Sequence, residues 1–150
     1  MALTLKEEIN ELLKTEQLDN KIVRDVTTEQ YTEVVNKLET TFVRNQGSIH
    51  HAAIETRIIP RGDYRRESYI DDPLWYCKVR SYIKPIEELY WLVEDKGNNT
   101  LKYYLYRTNI EQLSTILQNC KRIGDWYLTT DQFAWMIAED SDGHVVYTGF

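Results

Sequence analysis

The sequence of 150 residues contains no long apolar run and has little glycine, proline or cysteine. No stretch approaches the roughly 18 apolar residues that a membrane-spanning helix needs, so we expect no membrane partner. Acidic side chains interrupt residues 1–8 before the apolar core of a signal peptide can form, so we expect a cytoplasmic protein. The six glycines form neither a dinucleotide-binding fingerprint nor a phosphate-binding loop. These absences argue against membrane proteins and the common nucleotide-binding enzymes.

Cysteine and histidine, the usual ligands of zinc, are also scarce. The two cysteines, Cys77 and Cys120, are too few for a disulfide framework or a zinc site made of four cysteines. We expect both to be buried, reduced thiols. His50 and His51 are adjacent, so their side chains diverge on a helix and on a strand, and His144 is far from them in sequence. We therefore predict no metal and no cofactor.

Motifs for catalysis are lacking as well. The sequence has no nucleophile elbow, and its adjacent carboxylates fall where solvated caps and turns are expected. The acidic segment 140–143 does not fit a calcium loop, because its first and twelfth positions would be Ala138 and Gly149. We predict a hairpin turn there instead. No catalytic residue is assigned.

Charge is the first positive feature of the sequence. The chain has 18 Lys and Arg against 24 Asp and Glu, a net charge of -6. This balance argues against nucleic-acid binding and suits a basic protein partner. One short segment is basic within this acidic chain, since it carries Arg57, Arg61, Arg65 and Arg66. These arginines either capture an anion or pair with the acidic residues that follow them.

Two helices are predicted near the N-terminus. Thr4 and Glu7 have the spacing of a capping box, and apolar residues follow at helical intervals. A second amphipathic helix is expected to start at Thr27 or Thr28. Each helix should place one apolar stripe on the core.

Two further helices are predicted later in the chain. Residues 72–73, Asp-Pro, are typical of a helix start, although the alternation that follows also fits a strand. Asn109 and Gln112 mark the start of another helix, and Gly124 is the expected glycine at its C-terminal end. Residues 44–71 are not assigned.

The remaining pattern predicts strands. Apolar alternation indicates a hairpin of residues 89–93 and 101–106 around the turn at 96–99, and further strands at 126–128, 133–138 and 144–148. The predicted fold is a single α+β domain over residues 1–150, in the order α-α-α-β-β-α-β-β-β. We expect helices on one face of a mostly antiparallel sheet, with the other face open.

Tyrosines form the candidate binding surface. We expect Tyr90, Tyr104 and Tyr106 to share one face of the hairpin. On the opposite face we place Trp91, Tyr103 and Leu105. Tyrosine suits protein interfaces, because its ring buries area while its hydroxyl stays available for hydrogen bonds. The alternative is that helices cover both faces.

The second half of the chain resembles a group of small uncharacterised bacterial cytoplasmic proteins. The resemblance covers about residues 86–150, and rests on ELYWLVED at 88–95, WYLT at 126–129, FAWMIAED at 133–140 and DGHVVYTG at 142–149. Members of that group look like small acidic proteins that neutralise bacterial toxins. The group commonly has a His-His pair near the last turn, where this sequence has Ser141 to His144.

Two functional hypotheses follow. The first is a non-catalytic protein-binding module, an immunity- or antitoxin-type inhibitor of a basic partner, which uses the tyrosines of the hairpin. The alternative is a small enzyme or ligand-binding domain that holds an anionic small molecule through the arginines of residues 57–66. The sequence leaves a homo-oligomer open.

Overall fold

A computed structural model describes residues 3–43, 58–59, 65–68, 83–98 and 102–150. The described residues form three helices, namely α1 (Leu5–Lys14), α2 (Thr28–Phe42) and α3 (Ile110–Asn119). They also form seven strands, namely β1 (Arg24–Asp25), β2 (Arg65–Ser68), β3 (Leu89–Asp95), β4 (Lys102–Thr108), β5 (Ile123–Thr130), β6 (Met136–Glu139) and β7 (His144–Thr148). None of the helices described is long and apolar enough to cross a membrane. The helix expected after residue 72 lies outside the described residues.

The three helices begin where their caps predict. Thr4 accepts a hydrogen bond from the backbone N–H of Glu7, whose side chain accepts one from the backbone of Thr4. Thr27 and Gln30 form the same reciprocal arrangement at the start of α2. At α3, the side chain of Asn109 accepts a hydrogen bond from the third helical residue. Each cap satisfies N–H groups that the first turn of a helix leaves without partners.

A single antiparallel sheet connects the strands in the order β1-β4-β3-β5-β6-β7-β2. This arrangement confirms the α+β class and the antiparallel sheet. The order along the chain differs from the prediction, because the short strands β1 and β2 precede β3. They form the two edge strands of the sheet.

Helices cover both faces of the sheet, so the expectation of an open face is wrong. On the first face, here called the α1/α3 face, the two helices pack on strand residues that include Trp91, Val93, Trp126, Leu128 and Ile137. On the second face, here called the α2 face, α2 packs on residues that include Leu92, Leu105, Tyr127, Met136 and Val146. The signal was present in the sequence, because the uninterrupted apolar run at 89–93 is typical of a strand buried on both faces.

Two predicted boundaries are also wrong. Gly124 does not cap α3, which ends at Asn119, but lies in β5. A Cβ atom at Gly124 would collide with the side chain of Glu94, at a bulge in the β3–β5 pairing. The strand expected at 133–138 begins at Met136, because Phe133 has a positive φ of 53° that ends regular strand geometry.

Candidate functional site

The three predicted tyrosines do not share a face. Tyr90 lies opposite Arg107 in the β3–β4 register, whereas Trp91 lies opposite Tyr106. Because opposite residues of an antiparallel pair project to the same side, Tyr90 lies on the α2 face, and Tyr104 and Tyr106 lie on the α1/α3 face. The expectation that these tyrosines form one surface is therefore wrong.

Tyr106 belongs to the core. It is 2% exposed, and its hydroxyl has no hydrogen-bond partner among the described residues. Burial, with smaller contributions from Asp25 and Tyr104, raises the pKa of Tyr106 far above its usual value. Its ring lies 6.0 Å from that of Trp91. The side chain therefore contributes to packing and is not available at the surface.

Tyr104, by contrast, is half-buried and lines a cleft of about 280 Å³ at the β1 edge of the sheet. Residues from three separate parts of the chain line this tyrosine cleft: Lys6, Asp25, Val26, Thr28, Tyr31, Tyr103, Tyr104 and Leu105. Successive residues of a strand project to opposite sides, so Tyr103 and Tyr104 flank the edge of β4. The cleft thus extends around the edge of the sheet, between the starts of α1 and α2.

The short length of β1 creates the cleft. β1 pairs only with Tyr106 and Arg107 of β4. One more backbone hydrogen bond follows, from the N–H of Val26 to the carbonyl of Leu105 at 3.2 Å. The chain then leaves the sheet and enters α2 through the cap at Thr27. The edge of β4 beyond Leu105 is therefore lined by side chains of α1 and α2.

Charged groups lie at the rim of the tyrosine cleft. The Nζ of Lys6 lies 3.4 Å from Oδ2 of Asp25 and 4.9 Å from the centre of the Tyr104 ring. The Nζ of Lys102 lies 5.7 Å from the same ring centre. Burial, and secondarily the charge of Glu39, raises the pKa of Tyr31, so its hydroxyl remains protonated. The cleft therefore combines aromatic faces with one carboxylate and a nearby ammonium group.

Tyr90 takes part in a different cluster on the α2 face. The Arg107 guanidinium lies 4.5 Å from the centre of the Tyr90 ring and donates to its hydroxyl at 2.9 Å. It also donates to Glu88 at 2.9 Å and to Asp131 at 2.7 Å, and Arg24 donates to Glu88. Burial lowers the pKa of Arg107, but Tyr90 and the two carboxylates together raise it. These contacts link β1, β3, β4 and the loop after β5, which is a structural role.

The described part of the predicted arginine segment, Arg65 and Arg66, lies away from the tyrosine cleft and the Tyr90 cluster. Arg65 pairs with Tyr147 and Arg66 with Val146 in the register of β2 and β7. This pairing places them at the edge of the sheet opposite β1. Arg57 and Arg61 lie outside the described residues. The structure therefore does not bring Arg65 or Arg66 to the predicted tyrosines.

A carboxylate on β6 has a shifted pKa. Burial raises the pKa of Glu139 to about 7, although a hydrogen bond from the Trp126 indole lowers it. The indole Nε1 donates to Glu139 at 3.0 Å. Glu139 lies opposite Val145, on the α1/α3 face, so the neighbouring His144 projects to the other face. Glu139 and His144 consequently do not form a catalytic pair.

The turn between β6 and β7 brings three possible metal ligands together. Ligand atoms of Asp140, Asp142 and His144 lie within 4.8 Å of one another. The Asp140 carboxylate is already a hydrogen-bond acceptor for the backbone N–H groups of Asp142 and His144, both at 3.0 Å. Its second oxygen lies 3.1 Å from Nδ1 of His144. These bonds stabilise the predicted turn, in which Gly143 has a φ of 83°.

Cys120 does not resemble a nucleophile. Cys120 is a free thiol. We expected it to be buried, but it is only half-buried. Cys77 lies outside the described residues. Burial, with a smaller contribution from Glu8, raises the pKa of Cys120 to about 12. The thiol therefore stays protonated at neutral pH.

Most residues that line the tyrosine cleft were not identified as site residues from the sequence, among them Lys6, Asp25 and Tyr31. Lys6 precedes Asp25 by nineteen positions and Tyr104 by ninety-eight. No spacing rule relates positions so far apart. Tyr31 was assigned only to the apolar stripe of the second helix. Their proximity depends on the strand order, which the sequence pattern did not provide.

Comparison with known proteins places the chain in a family. Residues 1–150 match the model of DUF6756, a family of unknown function, and the chain belongs to that family. No curated protein and no solved structure matches the chain significantly.

Proposed function

We propose that this member of the DUF6756 family is a non-catalytic protein-binding module, an immunity- or antitoxin-type inhibitor of a basic protein in the bacterial cytoplasm. The observation that carries the proposal is the tyrosine cleft. It places Asp25 beside three tyrosines at the sheet edge of a chain with a net charge of -6.

The composition of the cleft suits a protein interface. Tyr31, Tyr103 and Tyr104 are all half-buried, so part of each side chain, a ring with a polar hydroxyl, faces a partner without a change in the fold. Tyrosine is enriched in protein interfaces for this combination. The cleft has a volume of about 280 Å³, which is enough room for one protein side chain.

The charge of the chain favours a basic partner. A net charge of -6 attracts cationic surfaces at long range and accelerates their encounter with the protein. Glu29 and Glu33 are exposed acids on α2, the helix that contributes Thr28 and Tyr31 to the cleft. Because salt screens such fields over about 10 Å, the association should weaken as salt is added.

The alternative function, an anionic ligand held by residues 57–66, has less support. The backbone of Arg65 and Arg66 lies at the β2 edge, far along the sheet from the cleft. We therefore place the binding surface at the β1 edge.

A pull-down of the tagged protein from its native host, at low and moderate salt, tests the proposal. We expect one stoichiometric basic partner that is lost at the higher salt. Asp25→Asn should weaken the purified complex about tenfold, equivalent to about 1.4 kcal/mol. Glu11→Gln removes the same charge from an exposed position on α1 that does not line the cleft, and serves as the matched control. An acidic partner, no specific partner, or equal effects of the two variants would contradict the proposal.

A further inference from the structure

We infer that the tyrosine cleft binds one lysine or arginine side chain of the basic partner, and that Lys6 is the internal cation which this side chain displaces. The inference rests on the proposed function. It adds the chemical group that is recognised and a residue of this chain that competes for the same position.

The first support is that a cation already lies in the cleft. The Lys6 ammonium contacts the Asp25 carboxylate at 3.4 Å and lies 4.9 Å from the centre of the Tyr104 ring. A separation within about 6 Å is the range in which an aromatic face attracts a cation. The cleft therefore already holds an ammonium group between an aromatic face and a carboxylate, the environment that a partner's lysine or arginine requires.

The second support is that Lys6 is held weakly. Its side chain is 41% exposed and that of Asp25 is 48% exposed, and ion pairs with this exposure are screened by water. The start of α1 is held by other groups. Asp95 accepts from the backbone N–H of Leu5 at 2.9 Å, and Thr4 caps the first turn. The Lys6 side chain can therefore leave the cleft while α1 stays in place.

The third support is the polarity of the cleft. Aromatic faces carry negative partial charge, so Tyr104 favours a cation over an anion. An anion would have to displace Asp25 and approach a chain with a net charge of -6. A guanidinium group could stack on the ring while it donates to the carboxylate of Asp25. Lys6 and Lys102, the two lysines near Tyr104, are the feature that would favour an anion. Removing Lys6 should therefore weaken the binding of an anion and strengthen the binding of a cation.

The test is an NMR titration with arginine blocked at both ends as its acetyl and methylamide derivative. Ring signals of ¹³C-labelled tyrosine report where the probe binds. The correspondingly blocked citrulline has nearly the same shape without the charge, and blocked glutamate supplies the opposite charge. We expect arginine alone to shift the signals of Tyr31, Tyr103 and Tyr104 in a saturable way.

Two variants then test the role of Lys6. Lys6→Met removes the ammonium but keeps an unbranched apolar chain, and should tighten binding of blocked arginine about three- to tenfold, because an exposed ion pair and a cation–π contact no longer compete. Asp25→Asn should weaken binding about tenfold. Lys14→Met makes the same charge change at an exposed position of α1 and should leave binding within about twofold of the original protein, since Lys14 does not line the cleft.

The outcomes separate this inference from the proposed function. Tyrosine shifts with blocked glutamate that Lys6→Met weakens would overturn the inference in favour of an anion. Weaker binding of blocked arginine by Lys6→Met would overturn the displacement of Lys6. A captured basic partner whose affinity is unchanged by Lys6→Met would retain the proposed function and overturn the displacement of Lys6. Arginine binding without any captured protein would overturn the partner side chain as the occupant.

Discussion

Glu139 has a pKa that burial brings close to neutral pH. Burial raises its pKa to about 7, against an unperturbed value of 4.5, although the Trp126 indole donates to it at 3.0 Å. A folded-state pKa above the unfolded one means that the folded protein binds the proton more tightly. Stability is therefore gained as the pH falls from about 7 towards 4.5.

The replacement Glu139→Gln removes this ionisation and keeps an oxygen that can accept from Trp126. At pH 8 we expect a gain in the free energy of unfolding on the order of 2 kcal/mol, because no buried carboxylate has to be charged. The gain should shrink steadily towards pH 5. Urea unfolding at several pH values measures it, with Glu11→Gln on the exposed face of α1 as the control. A gain that does not change with pH would contradict the prediction.

The tyrosines show why single residues of the site were only partly predictable. Alternation along each strand correctly separated Tyr90 from Trp91. It could not show whether Tyr90 shares a face with Tyr104 or with Tyr103, since this depends on the register across the turn. The register places Tyr90 opposite Arg107, and the predicted surface is therefore divided between the two faces. Only Tyr104 of the three lies in the cleft.

At the scale of elements, α1 is attached to the β3–β4 hairpin through a buried carboxylate. Asp95 is 1% exposed and accepts from the backbone N–H groups of Leu5 and Gly97, at 2.9 Å and 2.8 Å. The turn approaches the helix so closely that a Cβ atom at Gly97 would lie 2.6 Å from Cα of Thr4. The first turn of α1 is thus capped both by its own sequence and by a residue far along the chain.

We expect Asp95→Ala to lower the free energy of unfolding by about 2 kcal/mol, because it leaves buried N–H groups without acceptors. Asp95→Asn, which keeps one acceptor oxygen, should cost less. Hydrogen exchange locates the effect. The amide of Leu5 should lose protection more than the amides of α2. Equal loss of protection in both helices would show that Asp95 does not act on α1 specifically.

The elements themselves were largely predictable, whereas their contacts were not. The caps at Thr4, Thr27 and Asn109 are local, and all three helices start where those residues indicate. The late start of β6 was missed, because a positive φ is rare for phenylalanine and its residue type does not indicate one. β1 was missed because two residues are too short for any periodicity.

On the scale of the whole molecule, one sheet is shared by two cores. The tryptophans Trp91, Trp126 and Trp135 lie in the core of the α1/α3 face, whereas Leu38 of α2 lies in the other core. Adjacent residues of the same strands, such as Trp91 and Leu92, contribute to both cores. Because each strand is continuous, one core cannot lose its packing without disturbing the strands that form the other.

This shared sheet predicts cooperative unfolding. Leu38 is 1% exposed, so Leu38→Ala should lower the free energy of unfolding by about 3 kcal/mol. The loss should appear equally in tryptophan fluorescence, to which three tryptophans of the α1/α3 core contribute, and in far-ultraviolet circular dichroism, which reports the whole fold. Asn36→Ala, at an exposed position of the same helix, should change the midpoint little. Separate transitions for the two signals would mean that the α2 core unfolds on its own. Because helices cover both faces of the described sheet, the proposed partner's side chain would enter at an edge, and the tyrosine cleft lies at the β1 edge.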